Sequence, residues 1–599
     1  MNLSDFILDF LVKKKVKKVF LITGGAISFV VDAFSRNKKI SYICAAHEQA
    51  AAMMADAYSR MGPNFSATMV TSGPGATNLL TGIACSWFDS IPSIHICGQV
   101  NSTDLGSSHK STQNVRQVGF QETDIVSMAK PITKMAYQLK NPEEIKFVLE
   151  KAYYVANSGR PGPVLIDIPM DFQRKIINPK KLKTFKIIDK KLNQNSIKNK
   201  IAKICVLLKK SKRPTIIVGG GIRYSKTTQD LIFLTKKLKI PIVTTWSGLD
   251  SISHDHPNYI GSIGVYGSRA ANFVIQNSDF ILCLGSRLDT RVTGGVPRNF
   301  ARDAIISAVD IDSYELNKSR GLKIDIKLNS DLKIFFNIFK NYFNNFSIIK
   351  KGWINQSLIW KKKYPIILQS YRDQKKYVNP YVFMEKLSNN LNQNEIIIAD
   401  DGAHLTWAIQ GMKIIKNQRL FSAFGNSPMG YAFPASIGAS IALNKKRIVC
   451  IDGDGSIQMN IQEFHTMVSN KLPIKIFIMN NNGYGIIKQF QELYLEKRFE
   501  ATGKGVSNPN FKKISNAYGI NYTEIKKNND IEKKIKKVLK SKKPEFVNIL
   551  VNPNQKIIPK LSFGDPIEDL SPKIPRKEFY RNMIVKPLLK KKKDIVESN

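Results

Sequence analysis

The chain of 599 residues lacks an apolar run long enough to span a bilayer, and no basic stretch followed by a sustained apolar one opens it. Neither a membrane anchor nor a secretory signal peptide is therefore expected. Cysteine is scarce, and its six positions show no metal-ligand or redox spacing: Cys44, Cys85, Cys97, Cys205, Cys283 and Cys450. Most lie within apolar runs, which predicts buried free thiols in a reducing compartment and hence a cytoplasmic protein.

Acidic residues are also scarce, since 47 Asp and Glu stand against 91 Lys and Arg and leave a net charge of +44 at pH 7. Such an excess usually points to nucleic acid or an anionic membrane. Here lysine is dispersed along the chain with isoleucine and asparagine, which indicates a compositional bias. We therefore expect neither partner, and we interpret Lys590–Lys593 as part of a solvated tail. An anionic substrate would still gain from the positive field.

Short apolar runs typical of buried parallel strands alternate with segments of helical length. They form three blocks, at residues 1–175, 199–345 and 376–555. Lysine-rich connectors separate the blocks, at residues 176–198 and 346–375. The pattern predicts an α/β protein of three parallel-sheet domains, the central one Rossmann-like. Residues 556–599 have proline and lysine clusters without periodicity and are predicted to form an extended tail.

The third block contains a pattern that suits a metal–diphosphate site. Gly453-Asp454-Gly455 follows one apolar run, and Asn481 follows a second, with a helix-length segment between them. Parallel strands joined by a crossover helix end side by side, where open α/β sheets bind ligands. Asp454 and the amide oxygen of Asn481 are then suitable ligands for a hard cation such as Mg²⁺. A strand ending in a plain Gly-Asp turn explains either half alone, but not both at this separation.

The first block offers an acid and a glycine turn. Glu48 opens an alanine-rich, helix-favouring stretch, where a glutamate is often only a partner of the helix dipole. Gly73-Pro74-Gly75 follows a predicted strand and opens the next helix, which contains Asn78. With the third-block pattern, and with Gly24-Gly25-Ala26 and Phe120-Gln121-Glu122, these motifs resemble the acetohydroxyacid synthase (acetolactate synthase) group of thiamin-diphosphate enzymes.

In that family the matching glutamate hydrogen-bonds the aminopyrimidine ring of the cofactor and so promotes removal of the thiazolium C2 proton. The resemblance assigns this role to Glu48 and further catalytic positions to Gly25, Gln121 and Met429. The outer domains are then the pyrimidine-binding and diphosphate-binding domains of thiamin diphosphate. Because the family's glutamate serves a cofactor held by another subunit, the resemblance implies a homodimer or homotetramer, and it admits a small regulatory subunit.

The resemblance also supplies the residues that would hold the cofactor. Asp401-Gly402-Ala403-His404 is similar to the family's Gly-Gln-His turn at the diphosphate, although His404 also suits an ordinary polar turn. Met429 matches the apolar residue that bends the cofactor. The alternative is that Met429 only fills the hydrophobic core, and both roles consist of packing an apolar side chain against its neighbours. The positions implied to bind thiamin diphosphate are Gly73, Pro74, Asn78, Gly402, His404, Gly430, Gly453, Gly455 and Ser456.

The middle block resembles the FAD-binding domain of acetolactate synthases, in which the flavin does no net redox work. The triple glycine Gly219–Gly221 after a predicted strand is weak evidence by itself. A second glycine turn, at Gly285, follows another strand, and acidic residues stand at the ends of two further strands. Arg160 matches a family arginine near the flavin. The alternative is a domain whose FAD site has been lost. The implied FAD residues are Arg160, Gly219, Gly220, Gly221, Gly285, Arg287, Asp310 and Asp331.

The chain departs from the family around the substrate pocket. Gly483 stands where the family has a glutamate, although its backbone carbonyl still suits Mg²⁺, and Ile486 and Phe490 replace Met and Trp. Thr290, Met170 and the segment 115–119 also differ. We expect a carboligase that decarboxylates pyruvate and adds the two-carbon unit to a second 2-keto acid, giving acetolactate or acetohydroxybutyrate. The alternatives are another acceptor (an aldehyde or keto-sugar), a 2-keto acid decarboxylase or oxidase, or a non-catalytic subunit.

Overall fold

In the computed structural model the described residues are 1–62, 65–108, 110–112, 115–187, 194–318, 320–343 and 347–588, so Lys590–Lys593 lies outside them. They form three α/β domains, each built on a parallel sheet, as the alternation of apolar runs and helices predicts. In these ranges, no helix combines the length and apolar character needed to cross a membrane.

The first domain has the strand order β2-β1-β3-β4-β6-β5. Its strands are β1 (Lys18–Leu21), β2 (Ser41–Cys44), β3 (Ser66–Val70), β4 (Ser93–Gln99), β5 (Met135–Gln138) and β6 (Pro163–Pro169). Its helices are α1 (Leu3–Lys13), α2 (Ser28–Asp32), α3 (Glu48–Met61), α4 (Pro74–Asn78), α5 (Leu80–Asp89), α6 (Ile125–Ala129), α7 (Ile145–Asn157) and α8 (Met170–Gln173). The central strands β3, β4 and β6 are buried along their whole length, because helices cover both faces of the sheet.

The middle domain has the order β10-β9-β7-β11-β12-β13 and a short separate pair, β14-β8. Its strands are β7 (Pro214–Val218), β8 (Leu238–Lys239), β9 (Ile242–Thr244), β10 (Tyr259–Ser262), β11 (Phe280–Leu284), β12 (Ile305–Asp310), β13 (Ile326–Asn329) and β14 (Ile348–Ile349). Its helices are α9 (Gln194–Lys210), α10 (Gly221–Tyr224), α11 (Thr228–Lys237), α12 (Arg269–Gln276), α13 (Thr290–Thr293), α14 (Ser313–Asn317), α15 (Leu332–Phe343), α16 (Lys351–Lys363) and α17 (Gln369–Arg372).

The third domain has the order β16-β15-β17-β18-β20-β19. Its strands are β15 (Ile396–Ala399), β16 (Arg419–Phe421), β17 (Val449–Gly453), β18 (Lys475–Asn480), β19 (Asn521–Ile525) and β20 (Glu545–Leu550). Its helices are α18 (Pro380–Asn390), α19 (Ala403–Gly411), α20 (Ala432–Ala442), α21 (Glu463–Ser469), α22 (Gly485–Tyr494), α23 (Phe511–Ala517) and α24 (Ile531–Lys540), and α25 (Arg576–Asn582) follows near the end of the chain.

The outer domains are joined within one chain by helices α3 and α20. Alanine lines α3, so the two helices approach until the backbone of Met54 touches Gly438. A Cβ at Gly438 would lie 2.0 Å from the carbonyl oxygen of Met54. The buried faces of both helices belong to one hydrophobic core, which also contains strands of both sheets. This contact fixes the first domain on the third domain.

Two segments differ from the sequence prediction. The connector 346–375 contains α16, whose side chains Trp353 and Trp360 are buried in the middle domain. The described part of the predicted extended tail packs on the same core through Leu561, Leu570 and Phe579 and includes α25. The prediction of an extended tail is therefore wrong for residues 556–588, because scattered apolar anchors dock the segment without a regular period.

Candidate active site

The proposed metal ligands meet at the carboxyl edge of the third sheet. Strand β17 ends at Gly453, directly opposite Met479 of β18, so Asp454 and Asn481 leave neighbouring strands side by side. Oδ2 of Asp454 accepts hydrogen bonds from the backbone N–H of Gly483 (3.1 Å) and from the side-chain amide of Asn508 (2.6 Å). The carboxylate is 2 % exposed, and its burial raises its pKa. Asn508 is a residue that the sequence motifs did not indicate.

Three oxygen atoms converge at this point. The side-chain oxygen of Asn481 lies 3.3 Å from Oδ1 of Asp454 and 2.8 Å from the carbonyl oxygen of Gly483. Turning the amide by 180° would put its nitrogen there as a donor to both oxygens. In either orientation the Asn481 amide meets a carboxylate oxygen and a backbone carbonyl oxygen, and carboxylate, carbonyl and amide oxygens are the ligands that Mg²⁺ prefers. The residues present therefore fit a hard cation.

Three positions beside this cluster have no room for a side chain and therefore require glycine. A Cβ at Gly455 would lie 2.4 Å from the ring of Tyr484, and a Cβ at Gly453 would lie 2.8 Å from the ring of His404. Gly483 has φ +148° and would place a Cβ 2.2 Å from the carbonyl oxygen of Thr502. Backbone amides in such a crowded loop can approach a phosphate closely.

His404 and Asp452 have unpartnered polar atoms in the same place. The imidazole of His404 lies across Gly402 and Gly453, and burial lowers its pKa to about 3, so the ring is neutral. Burial raises the pKa of Asp452 to about 7, although Oδ1 accepts from Gly453 N–H and the Ser456 hydroxyl. Among the described residues, Nε2 of His404 and Oδ2 of Asp452 have no hydrogen-bond partner. Buried atoms of this kind usually have a partner, and an anionic ligand with bound metal would supply one.

Asp400 organises the loop that contains Met429, and the sequence motifs gave no sign of this role. Its carboxylate accepts from the backbone N–H groups of Gly430 (2.9 Å) and Ala432 (2.6 Å). The Gly430 carbonyl accepts in turn from the side chain of Asn460 (2.7 Å). Asp400, His404 and Asp452 each bring one polar atom within 4.8 Å of the others. Met429 is thus held, half-buried, beside the diphosphate-type cradle.

The predicted pyrimidine-side residues form a second cluster, in the first domain. Oε2 of Glu48 accepts from the side chain of Asn78 (2.9 Å), and Oε1 lies 3.5 Å from where a Cβ on Gly75 would be. The left-handed Gly73 (φ +59°) packs on Gln121, and Pro74 begins α4. Next to them, the backbone N–H of Ala26 donates to the hydroxyl of Thr71 (3.3 Å). A Cβ added to Gly25 would meet no other atom within 4 Å.

Glu48 begins α3, and His47 caps this helix through Nδ1, which accepts from the N–H of Gln49 (3.1 Å). Glu463 of the third domain accepts from the N–H groups of Ala46 (2.9 Å) and His47 (3.1 Å), another link that the sequence did not indicate. Within the part of the chain that the structure describes, no hydrogen bond or ion pair joins the Glu48 cluster to the Asp454 cluster. The two clusters thus stand on different domains, one at the start of α3 and the other at the carboxyl edge of the third sheet.

The residues proposed for FAD surround a cavity of about 310 Å³ between the domains. Its lining includes seven of the predicted positions: Arg160, Gly220, Gly221, Gly285, Arg287, Asp310 and Asp331. Phe88–Ser90 of the first domain and Phe424 of the third domain complete the wall. Burial raises the pKa of Asp310 to about 6. Arginine and lysine beside acidic residues, with aromatic rings nearby, suit a nucleotide with charged phosphates and polar sugars.

The middle-domain glycines also allow two loops to pack closely together. A Cβ at Gly219 would lie 2.2 Å from the carbonyl oxygen of Gly285, and one at Gly221 would lie 2.7 Å from the Cα of Gly285. The two loops thus pack backbone against backbone, and Gly219 is not part of the cavity lining. Arg160 pairs with Asp312 (3.1 Å) and Glu315 (2.8 Å), which neutralise it at the cavity wall.

Departures from the family pattern also have a place in the structure. The guanidinium of Arg291, beside Thr290, lies 4.7 Å from the ring centre of Trp246 and lines the cavity. Phe490 contacts Tyr494 (5.0 Å between ring centres) and Phe563 (5.7 Å), so the C-terminal segment covers one side of α22. The surface near the proposed acceptor site is therefore aromatic.

Comparison with known proteins agrees with this architecture. Family models match residues 1–128 (thiamine pyrophosphate enzyme, N-terminal TPP binding domain), 201–337 (central domain) and 400–549 (C-terminal TPP binding domain). The chain thus belongs to the thiamine pyrophosphate, or thiamin-diphosphate, enzyme family, and it contains both cofactor-binding domains and the central domain of that family.

Within this family the chain is similar over nearly its whole length to acetolactate synthase large subunits. The protein of Cyanidium caldarium is 34% identical over 93% of this chain and 94% of its own length. The large subunit from Lactococcus lactis is 32% identical over 94% of both chains. The isozyme 2 large subunit of Escherichia coli is 30% identical over 93% of this chain and 97% of its own. The family resemblance found in the motifs is confirmed.

Proposed function

We propose that the protein is a thiamin-diphosphate- and Mg²⁺-dependent carboligase of the acetolactate synthase type, acting in branched-chain amino-acid biosynthesis. It would convert two molecules of pyruvate to acetolactate and CO₂, or pyruvate and 2-oxobutyrate to acetohydroxybutyrate and CO₂. The observation that carries the proposal is the convergence of the Asp454 carboxylate, the Asn481 amide and the Gly483 carbonyl, next to unpartnered atoms of His404 and Asp452, in a chain with both cofactor-binding domains.

When bound, thiamin diphosphate supplies a carbanion equivalent that accepts the two-carbon unit and passes it on. The protein's own residues would bind the cofactor and orient it. Asp454, Asn481 and Gly483 would hold Mg²⁺ and through it the diphosphate, while neutral His404 offers Nε2 to a phosphate oxygen. Met429, fixed through Gly430 and Asp400, would hold the cofactor bent. Glu48 would exchange a proton with the ring nitrogen of the pyrimidine.

We infer a homodimer as the smallest active unit. The placement of the Glu48 and Asp454 clusters on different domains, with no direct hydrogen bond between them among the described residues, supports this, because a partner's Glu48 cluster could complete each site. The relatives are named large subunits, so we also propose that a small subunit associates with the dimer. Light scattering on the purified chain, alone and mixed with the small subunit of a relative, tests both assemblies.

FAD in the interdomain cavity is a further part of the proposal. It is supported by the lining of basic, acidic and aromatic side chains from all three domains. Yellow protein with a flavin absorption band after purification is the expected result, and active colourless protein would contradict it. A cytoplasmic location also belongs to the proposal, supported by the six cysteines, which are all free thiols.

The decisive test identifies products by mass spectrometry after incubation with pyruvate, thiamin diphosphate, Mg²⁺ and a panel of acceptors. Acetolactate should form with the wild type, and it should fall at least a hundredfold with Asp454→Asn. Asp303→Asn, at an exposed aspartate of the middle domain, is the matched control and should keep full activity. CO₂ without acetolactate would refute the acceptor, free acetaldehyde would indicate a decarboxylase, and oxygen consumption an oxidase.

A second candidate function keeps the first half of the reaction and changes the acceptor. The aromatic surface formed by Phe490, Tyr494 and Phe563 favours an acceptor with an apolar or aromatic part. Tyr484, whose ring covers Gly455, narrows the same region. Adding benzaldehyde and acetaldehyde to the acceptor panel tests this candidate, and exclusive use of 2-keto acids would eliminate it.

A further inference from the structure

Residues 419–432 connect β16 to α20 and contain Met429; we call them the 419–432 segment. Four buried aspartates from all three domains hold this segment. Asp250 of the middle domain accepts from the side chain of Arg419 (2.6 Å) and from the N–H of Leu420 (3.3 Å). Asp400 of the third domain holds Gly430 and Ala432, as described above.

The other two aspartates belong to the first domain. Asp89 accepts from the backbone N–H groups of Phe424 (3.0 Å) and Gly425 (2.8 Å). Asp56 accepts from the hydroxyl of Tyr431. These carboxylates are at most 6 % exposed. A buried carboxylate that accepts several N–H bonds fixes the backbone that donates them.

Asp89 and Asp56 are tied together by one cation. The guanidinium of Arg60, with its side chain 3 % exposed, pairs with Asp56 (2.6 Å) and with Asp89 (2.9 Å). It also donates to the carbonyl of Ser422 (3.3 Å). Arg60 thus links two buried carboxylates, and removing one member of such a hydrogen-bonded network is costly.

The same aspartate stands at the wall of the interdomain cavity. Phe88, Asp89 and Ser90 line the cavity from the first domain, and Phe424, which Asp89 holds, lines it from the third. The ring of Phe424 lies 6.4 Å from that of Trp246, another lining residue. No space separates the two walls at this point, since a Cβ at Gly425 would lie 2.5 Å from the Cβ of Phe88.

From these contacts we propose that Asp89 is a positioning residue that couples occupancy of the interdomain cavity to the thiamin-diphosphate site. A ligand against Phe88–Ser90 and Phe424 orders both sides of the Asp89 contact, and Met429 and Gly430 follow on the same short segment. Cavity binding thereby lowers the cost of ordering Met429 around the cofactor. This inference rests on the proposed function, because it takes FAD and thiamin diphosphate as the two ligands.

The test measures the dissociation constant of thiamin diphosphate by calorimetry, in saturating Mg²⁺, with and without saturating FAD. Coupling between two sites appears as a ratio of the two constants and is commonly about 5- to 150-fold. We expect FAD to tighten thiamin diphosphate binding at least fivefold in the wild type. In Asp89→Asn, which keeps the shape of the side chain but not its charge, the ratio should fall below twofold.

Two further variants separate coupling from stability. Glu568→Gln removes a buried carboxylate that pairs with Arg302 (2.9 Å) away from the 419–432 segment, and its coupling ratio should equal the wild-type ratio. Phe424→Leu changes only the ring that lines the cavity and should also reduce the ratio, which decides the question if Asp89→Asn does not fold. Circular dichroism and thermal unfolding establish which variants are folded.

The outcomes are distinct. Folded Asp89→Asn or Phe424→Leu with the wild-type ratio would overturn the inference, as would loss of the ratio in Glu568→Gln. A wild type that binds both ligands without mutual effect would overturn the coupling and leave the proposed function standing. A wild type that binds no thiamin diphosphate would refute the proposed function and the inference with it.

Discussion

The substitution Asn481→Asp distinguishes the two orientations of the Asn481 amide and so tests the metal site directly. If the amide oxygen is a metal ligand, a carboxylate supplies the same oxygen with added charge. If instead the amide nitrogen donates to Asp454 and Gly483, the substitution removes both hydrogen bonds and places a carboxylate against two oxygens. The first case makes the effect depend on Mg²⁺, whereas the second does not.

The magnitude follows from the distance between the oxygens. Two like charges 3.3 Å apart repel by about 5 kcal/mol at an effective dielectric constant of about 20. Proton uptake by the pair relieves part of this, so we expect the metal-free variant to lose about 2–5 kcal/mol. In a domain of this size that corresponds to a drop in Tm of roughly 5–15 °C. Mg²⁺ compensates both charges and should restore most of the loss.

Thermal unfolding followed by circular dichroism, with EDTA and across a Mg²⁺ titration, measures this effect. The control is Asn392→Asp, which adds the same charge at an exposed residue before β15, at the opposite edge of the third sheet. We expect Asn481→Asp to gain more Tm from Mg²⁺ than the wild type does, and Asn392→Asp to follow the wild type. An equal loss of Tm with and without Mg²⁺ would refute the assignment of the amide oxygen as a ligand.

Three more predictions test other parts of the molecule. In Gly483→Ala the new Cβ would overlap the Thr502 carbonyl on a left-handed backbone, and the resulting strain of about 1–3 kcal/mol should weaken binding of Mg²⁺–thiamin diphosphate about 5- to 150-fold in calorimetry. The control Gly503→Ala, where a Cβ meets nothing within 4 Å, should bind normally. Equal effects of the two substitutions would contradict the steric argument. Glu48→Gln should slow deuterium exchange at C2 of the bound cofactor by about 10²–10⁴-fold without changing the affinity for the cofactor. NMR after acid quench measures the exchange. An unchanged exchange rate would show that Glu48 takes no part in the proton transfer. Burial raises the pKa of Asp167 to about 7, so the folded protein holds a proton that the unfolded chain releases, and stability should fall as pH rises from 4 to 7. Asp167→Asn should make this slope shallower, with the raised pKa values of Asp310 and Asp452 contributing to the rest, and should stabilise the protein at pH 8 by up to about 4 kcal/mol in urea unfolding. An unchanged slope would place the pH dependence elsewhere.

Sequence patterns predict the sheets well wherever a strand is apolar along its length. The apolar runs at Pro214–Val218 and Phe280–Leu284 form β7 and β11, because buried parallel strands are continuous apolar runs. The edge strands β5 and β19 are half-buried and have no such run, so periodicity does not reveal them. Trp353 and Trp360 anchor α16 in a lysine-rich context, where composition indicated a connector.

The site shows a similar division. Motif spacing indicates Asp454 and Asn481, which the structure brings to one sheet edge, whereas Glu48 follows only from the family resemblance; the roles of all three stay predictions. Asp400 and Asn508 act by hydrogen bonds to residues that are distant in the chain, and nothing in their local sequence indicates a role. The glycines Gly219–Gly221 were predicted to hold a phosphate, a role that stays a prediction. Their close packing on Gly285 is a tertiary contact that the sequence does not contain.

The thiols of the protein have a practical consequence. Burial raises the pKa of all six thiols, but only Cys44 is exposed; it lies at the end of β2, four residues before Glu48. A maleimide dye should therefore attach to the native chain at one position without any engineering. Because that position adjoins the helix start where a second subunit is expected, energy transfer between donor- and acceptor-labelled chains would report subunit exchange in real time.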